Sequence, residues 1–158
     1  MSVRCLILAC GNTLRGDDGV GPWLADWAEE HFAAQAEVRV VSRQQWTPEL
    51  AEEIAGAESV IFVDSSVATA PGAVRLTPVD PGSGKPAAGA HHMDAEDLLA
   101  LGRELYGSLP RKALLLTVGA GASEMGEGFS VRVKAALPDT CDLLDHAVRW
   151  TLTAQKPH

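Results

Sequence analysis

Carboxylate groups follow two predicted buried strands in this sequence. Asp17 and Asp18 close the turn Gly11–Gly19, which follows an apolar N-terminal run, and Asp64 follows the apolar run Val60–Val63. In parallel α/β sheets, functional residues gather beyond the carboxyl ends of the strands. An ionised carboxylate at such a place must be hydrated, paired or bound to a cation. Both positions are therefore candidates for metal or acid–base chemistry.

A third candidate group is an imidazole. His91, with His92 beside it, comes just before a helical segment that starts near Asp94. Together with Asp18 and Asp64, it would supply one nitrogen and two oxygens from three loops. Such a set suits a borderline divalent ion such as nickel or zinc, with coordination positions left open. Spacing alone does not establish that the three loops converge.

Each of these residues also has a simpler interpretation. Asp17 would cap a helix and stabilise the positive end of its dipole, and because one carboxylate suffices for a cap, Asp18 is left to face the crevice. Asp64 would hydrogen-bond to the Ser65–Ser66 turn that follows it. A histidine doublet in a loop is usually solvated. The metal hypothesis depends on taking the three groups together.

Other catalytic chemistries have weaker support. The first turn has the spacing G-x-x-x-x-G, but it lacks the third glycine of a dinucleotide fingerprint and the Lys-Ser or Lys-Thr of a phosphate-binding loop. Ser65, Ser66 and Ser123 lie outside any G-x-S-x-G elbow. Cys10 closes a buried strand and has no evident base. A serine or cysteine nucleophile is therefore not indicated.

The hydrophobic pattern alternates between strands and helices. Strands are expected at Val3–Cys10, Glu37–Val41, Ser59–Val63, Ala73–Thr77 and Ala113–Val118. Helices are expected at 19–34, Leu50–Ala57, Asp94–Tyr106 and Ser130–Ala154. The last of these helices contains Pro138. The Pro-, Gly- and Ala-rich segment Pro78–Ala90 is expected to be a mobile loop. This order predicts an α/β fold: a single three-layer α/β/α sandwich with a mostly parallel sheet, forming one domain over residues 1–158.

Charge and cysteine content narrow the class of protein. The 158 residues carry 21 acidic and 13 basic side chains, a formal net charge of −8. Such a surface repels phosphate backbones and anionic lipids, so neither nucleic acid nor membrane is an expected partner. Three widely spaced cysteines predict neither a disulfide framework nor a thiolate zinc site, and a reducing cytoplasmic location fits them. The apolar N-terminus is interpreted as a strand and not as a signal sequence.

The segment Gly11–Gly21, with the sequence GNTLRGDDGVG, resembles the opening motif of the hydrogenase maturation protease family. The resemblance extends through Val63-Asp64, through His91 with Leu98-Leu99 at the family's interval, and to the last strand and helix. It therefore covers nearly the whole chain. The interval to Leu98-Leu99 also favours His91 over His92.

The resemblance implies a nickel-dependent endopeptidase. Members of this family remove a C-terminal extension from the large-subunit precursor of a nickel-iron hydrogenase once its metal centre is loaded. The nickel belongs to the substrate and marks it as ready, so the free enzyme binds metal weakly or not at all. By position, Asp18, Asp64 and His91 match the family's proposed metal contacts and hence its catalytic residues.

Three departures from many relatives bear on substrate choice. Position 18 is Asp where relatives have Glu, Ser65-Ser66 follows Asp64, and Gln44–Leu50 replaces a glycine-rich stretch. The last departure resembles the branch that serves soluble, cofactor-linked hydrogenases. The aspartate side chain is one methylene shorter than that of glutamate but still provides a hard oxygen ligand.

The implied mechanism has nickel, held by precursor cysteines, gain Asp18, Asp64 and His91 as ligands. The adjacent peptide bond is thereby positioned and its carbonyl or a bound water polarised, with Asp17 or a free carboxylate oxygen as base. Two rival functions remain: a non-catalytic nickel-binding maturation chaperone that uses the same triad, and a peptidase with its own tightly bound zinc.

Overall fold

A computed structural model describes residues 3–82, 93–121 and 128–153. Within them the chain forms strands β1 (Val3–Cys10), β2 (Val38–Arg43), β3 (Ala57–Ser66), β4 (Val74–Pro78) and β5 (Lys112–Gly119). The α-helices are α1 (Val20–His31), α2 (Ala51–Ala55), α3 (Ala95–Tyr106) and α4 (Val131–Thr153). Short 3₁₀ turns, Gly16–Gly19 and Pro48–Leu50, lead directly into α1 and α2.

All five strands form one mixed sheet in the order β2-β1-β3-β5-β4. The pairs β1–β2, β1–β3 and β3–β5 are parallel, and β4 lies antiparallel at the edge beside β5. The chain moves to one side of β1 to form β2 and then to the other side to form β3. The strand order therefore reverses at β1, and such a switch point opens a crevice at the carboxyl ends of the two neighbouring strands.

The continuous apolar run of β1 is explained by burial on both faces. Side chains alternate across a strand, and Cys5, Ile7 and Ala9 join a core with residues of α1 and α4. Leu6 and Leu8, with Cys10, join a second core with residues of α2 and α3. Helices thus cover both faces of the sheet, and the three-layer α/β/α sandwich predicted from the sequence is confirmed.

Element bounds differ from the predicted ones in places that matter to the site. β3 continues to Ser66 because its parallel ladder with β5 goes on through the pair Asp64 and Thr117. Asp64 therefore lies within a strand and not after it. On α3, the predicted apolar position Leu105 is 60% exposed, since the buried side of that helix ends at Gly102.

Helix α3 begins and ends as the sequence predicts. The Asp94 side chain accepts a hydrogen bond from the backbone N–H of Asp97 at 2.9 Å, as an N-cap does. Gly107 ends the helix in the left-handed region with φ of 69°.

Most of the Pro78–Ala90 segment, which is predicted to be a mobile loop, lies outside the described residues from residue 83 onward.

The cysteines agree with the expectation from their spacing. Cys5, Cys10 and Cys141 are all unpaired and buried. Among the described residues, no helix has both the length and the apolar character needed to cross a membrane.

Candidate active site

A cleft of about 620 Å³ opens at the carboxyl ends of β1, β2 and β3, where the strand order reverses. Its described walls come from the loop after β1, the loop after β2, the end of β3 and the start of α3. The lining residues are Cys10, Gly11, Asn12, Arg15, Asp18, Gln44, Gln45, Trp46, Asp64, Ser65, Val67, Met93 and Asp94. Two of the three predicted site residues, Asp18 and Asp64, thus line one cleft.

Asp18 is held in the 3₁₀ turn between β1 and α1, half-buried, by two hydrogen bonds. Its Oδ2 accepts the backbone N–H of Asn12 at 2.8 Å, and its Oδ1 accepts the hydroxyl of Ser65 at 2.7 Å. A carboxylate offers about four acceptor positions. These two bonds therefore orient Asp18 and leave it capacity to bind a cation.

Asp64 is half-buried near the end of β3. Its Oδ1 accepts the backbone N–H of Ser65 at 2.8 Å, so the expected hydrogen bond to the Ser65–Ser66 turn is present. Since Asp64 also lines the cleft with Asp18, that simple interpretation and a ligand role are compatible. Ser65 contacts both carboxylates, one through its hydroxyl and the other through its N–H.

His91 and His92 lie outside the described residues, so their predicted role stays a prediction. Met93, the next residue, lines the cleft and donates its N–H to the carbonyl of Trp46 at 3.2 Å. Within the described residues, no three His, Cys, Asp or Glu side chains form a group able to hold a metal ion. A third ligand for the two aspartates would have to come from outside those residues, from a bound substrate or from both.

Asp17 has a different role from the one predicted. It caps neither the 3₁₀ turn nor α1. Its carboxylate instead accepts the N–H of Gly121 at 2.8 Å, the N–H of Ser130 at 2.6 Å and the Ser130 hydroxyl at 2.8 Å. Burial alone would raise the pKa of Asp17, but these hydrogen bonds outweigh it and the pKa lies below its usual value. Asp17 is therefore poorly suited to be the base.

Cys10 lies at the floor of the cleft and is only 8% exposed. Burial raises the pKa of its thiol far above the usual value, and the negative charge and hydrogen bond of Asp64 and the charge of Asp18 raise it further. The thiolate is the nucleophilic form of cysteine. The sequence-based exclusion of a cysteine nucleophile therefore agrees with the electrostatics of the cleft.

The charge of the cleft favours a cation. Asp18, Asp64 and Asp94 contribute three carboxylates, whereas Arg15 is the one guanidinium among the described lining residues. Because Asp18 and Asp64 are half-buried, their negative charge acts more strongly than it would on an open surface. The arrangement can bind a divalent ion or a cationic group.

One wall of the cleft was not predicted. Gln44, Gln45 and Trp46 line it from the loop after β2, and Trp46 is 3% exposed with its ring packed edge-on against Phe62 at 5.2 Å. The signal was available, because β2 is parallel to β1 and its carboxyl end reaches the same edge of the sheet.

The fold and the site define a class: a three-layer α/β protein with paired carboxylates at a topological switch point. Its solved structural neighbours include the hydrogenase maturating endopeptidase HybD from Escherichia coli, with a TM-score of 0.72 and 22% identity over 93% of each chain. The [NiFe] hydrogenase maturation protease HycI from Thermococcus kodakarensis gives 0.68 and 22% over 94% of each chain. The hydrogenase 2 maturation peptidase from a Thaumarchaeota archaeon gives 0.66 and 25% over 92% of this chain and 97% of that one.

This chain therefore has the fold of the hydrogenase maturation proteases, and the resemblance inferred from its motifs is confirmed at that level. No protein-family model matches the sequence, and no curated protein matches it.

Proposed function

We propose that this protein is an endopeptidase that removes the C-terminal extension of a nickel-loaded nickel-iron hydrogenase large-subunit precursor. The observation that carries the proposal is the position of Asp18 and Asp64, which line one cleft at the switch point of the sheet. The shared fold with maturation proteases supports it.

The substrate supplies the metal in this proposal. Nickel held by the precursor is recognised by Asp18, Asp64 and His91, which add oxygen and nitrogen donors to its coordination. The carboxylates in the cleft favour a precursor that presents a metal ion with open coordination positions over an apo precursor. Recognition of the metal therefore separates a loaded precursor from an unloaded one.

Cleavage needs a positioned and polarised peptide bond and an activated water. Metal binding in the cleft would hold the adjacent peptide bond close to the carboxylates, and much of the rate gain would come from that positioning. Asp17 is engaged by three donors, so we assign the base to a carboxylate oxygen in the cleft that is not bound to metal.

The test is the mass of the precursor after incubation. Precursor with and without nickel is mixed with wild-type protein, with Asp18→Asn and with the matched control Asp26→Asn, an exposed aspartate of α1 away from the cleft. We expect loss of the C-terminal extension only from nickel-loaded precursor, with wild type and Asp26→Asn, and a loss of at least about 100-fold in rate for Asp18→Asn.

Two other outcomes would each contradict one part of the proposal, either the cleavage or the recognition of nickel. An unchanged precursor mass together with a stable complex would leave the non-catalytic nickel-binding chaperone. Equal cleavage of loaded and unloaded precursor would mean that nickel is not the recognition element. His91→Ala tests the third predicted ligand in the same assay and should match Asp18→Asn.

A further inference from the structure

Ser65 joins two of the three carboxylates among the described lining residues of the cleft, those of Asp18 and Asp64. Its hydroxyl donates to Asp18 Oδ1 at 2.7 Å, and its backbone N–H donates to Asp64 Oδ1 at 2.8 Å. Asp18 comes from the turn before α1 and Asp64 from the end of β3. One residue thus contacts both of the aspartates that are predicted to bind metal.

Two carboxylates that share a half-buried cleft repel each other when no cation lies between them. Donors directed at them reduce that cost and hold each group in one orientation. In metal sites, such donors behind the ligating oxygens fix the ligand geometry, and their removal lowers metal affinity or activity tenfold to a hundredfold.

The position of Ser65 makes it an effective support. It lies on β3 and pairs with Val118 in the parallel ladder with β5, so its backbone is fixed by the centre of the sheet. The turn that carries Asp18 is less regular, and the hydroxyl of Ser65 ties that turn to the sheet. Sites supported by strands are held more precisely than sites on loops alone.

We propose that Ser65 is a positioning residue: its hydroxyl sets the orientation of Asp18 relative to Asp64 and thereby the affinity of the cleft for a divalent metal. This inference rests on the proposed function only in taking the two aspartates as metal ligands. Ser65 does not touch the reacting atoms in this role, and no nucleophilic role is assigned to it.

The neighbouring serine provides a matched control. Ser66 is on the same strand end, but its hydroxyl accepts the N–H of Ala68 at 3.2 Å and does not line the cleft. Ser65→Ala removes the hydroxyl, whereas Ser65→Thr keeps it and places a residue favoured in strands. These two variants separate the hydroxyl from the rest of the side chain, and Ser66→Ala is the control.

The first measurement is a calorimetric titration of Ni²⁺ alone into the metal-free full-length protein and its variants. We expect the Kd of Ser65→Ala to be raised about tenfold to a hundredfold, that of Ser65→Thr to stay within about threefold of wild type, and that of Ser66→Ala to be unchanged. Melting temperatures recorded on the same samples should agree within a few degrees, because the hydroxyl contributes one hydrogen bond.

The proposal would be overturned by wild-type affinity in Ser65→Ala, by failure of Ser65→Thr to restore affinity, or by wild type binding no Ni²⁺ at millimolar concentration. Incubation of the same variants with loaded precursor separates this inference from the proposed function. Metal affinity that depends on Ser65 without any cleavage by wild type would support the positioning role and remove the endopeptidase. If wild type and Ser65→Ala cleave the precursor equally and bind Ni²⁺ with equal affinity, the endopeptidase is supported and the positioning role of Ser65 is removed.

Discussion

At the residue scale, the adjacent aspartates of the motif have opposite environments. Asp18 faces the cleft and is half-buried, whereas Asp17 is 7% exposed and accepts three hydrogen bonds from Gly121 and Ser130. Asp17 thereby joins the turn before α1 to the residues that follow β5 and precede α4. A pair of aspartates in a motif therefore combines a candidate ligand with a structural anchor.

Asp17→Asn should destabilise the protein by about 2 kcal/mol at pH 7, because hydrogen bonds to a charged acceptor are worth more than neutral ones and an amide NH₂ would face a donor. The pKa of Asp17 in the folded state lies below the unfolded value of about 3.9. The contribution of its carboxylate to the free energy of unfolding is therefore fully present above about pH 3.9 and is lost as the pH falls through the folded pKa.

The measurement is the free energy of unfolding by denaturant at pH 7 and at several values down to pH 3. The difference between wild type and Asp17→Asn should shrink as the pH falls, and the exposed control Asp26→Asn should show neither the loss at pH 7 nor the trend. A difference that stays constant with pH would exclude ionisation of Asp17 as its source.

At the scale of elements, the close approach of α1 to β1 places the turn that carries Asp18. A Cβ built at Gly21 would overlap the carbonyl oxygen of Cys10, the last residue of β1. Only a glycine lets the first turn of the helix pack this close to the strand's carboxyl end. The short connection from β1 to α1 thus depends on a residue without a side chain.

Gly21→Ala should therefore lower the stability by on the order of 1–3 kcal/mol, since backbone atoms must move to relieve the overlap. Cleavage of the loaded precursor should fall as well, because displacement of α1 moves Asp18. The control is Gly56→Ala, where the added Cβ would lie 3.6 Å from the carbonyl oxygen of Glu52 in ordinary contact. Thermal unfolding of both variants gives the comparison, and equal melting temperatures would contradict the packing argument.

At the scale of the whole molecule, both apolar cores are built on the sheet and its covering helices. Among the described residues, no group of three metal-binding side chains bridges these layers. The proposed function predicts that the fold does not need a resident metal. In the proposed function the metal arrives with the substrate, and this separates the protein from a peptidase that holds its own zinc.

Dialysis against a chelator should leave the melting temperature of the protein unchanged. A resident zinc present at 100 times its Kd would contribute about 2.7 kcal/mol to stability, and its removal would lower the melting temperature measurably. Metal analysis of the purified protein before and after dialysis completes the test. A stoichiometric metal whose removal lowers the melting temperature would favour the zinc peptidase.

Much of the architecture could be predicted from local patterns. The strand at Val3–Cys10 was predicted with its observed bounds, and the N-cap at Asp94 and the ending of α3 at Gly107 were predicted from residue type. These features depend on hydrophobic periodicity, side-chain capping and the conformational freedom of glycine, which are properties of short segments. The sandwich followed because right-handed crossovers leave few arrangements for such elements.

The chain's sequence by itself determined the candidate ligands Asp18 and Asp64, since both follow from residue type beside a strand. Only the tertiary structure decided that they share a cleft, that Ser65 joins them and that Asp17 is anchored to Gly121 and Ser130. The reason is physical: these contacts join residues 47 to 113 positions apart. Sequence spacing carries no information about such contacts until the order of strands in the sheet is known.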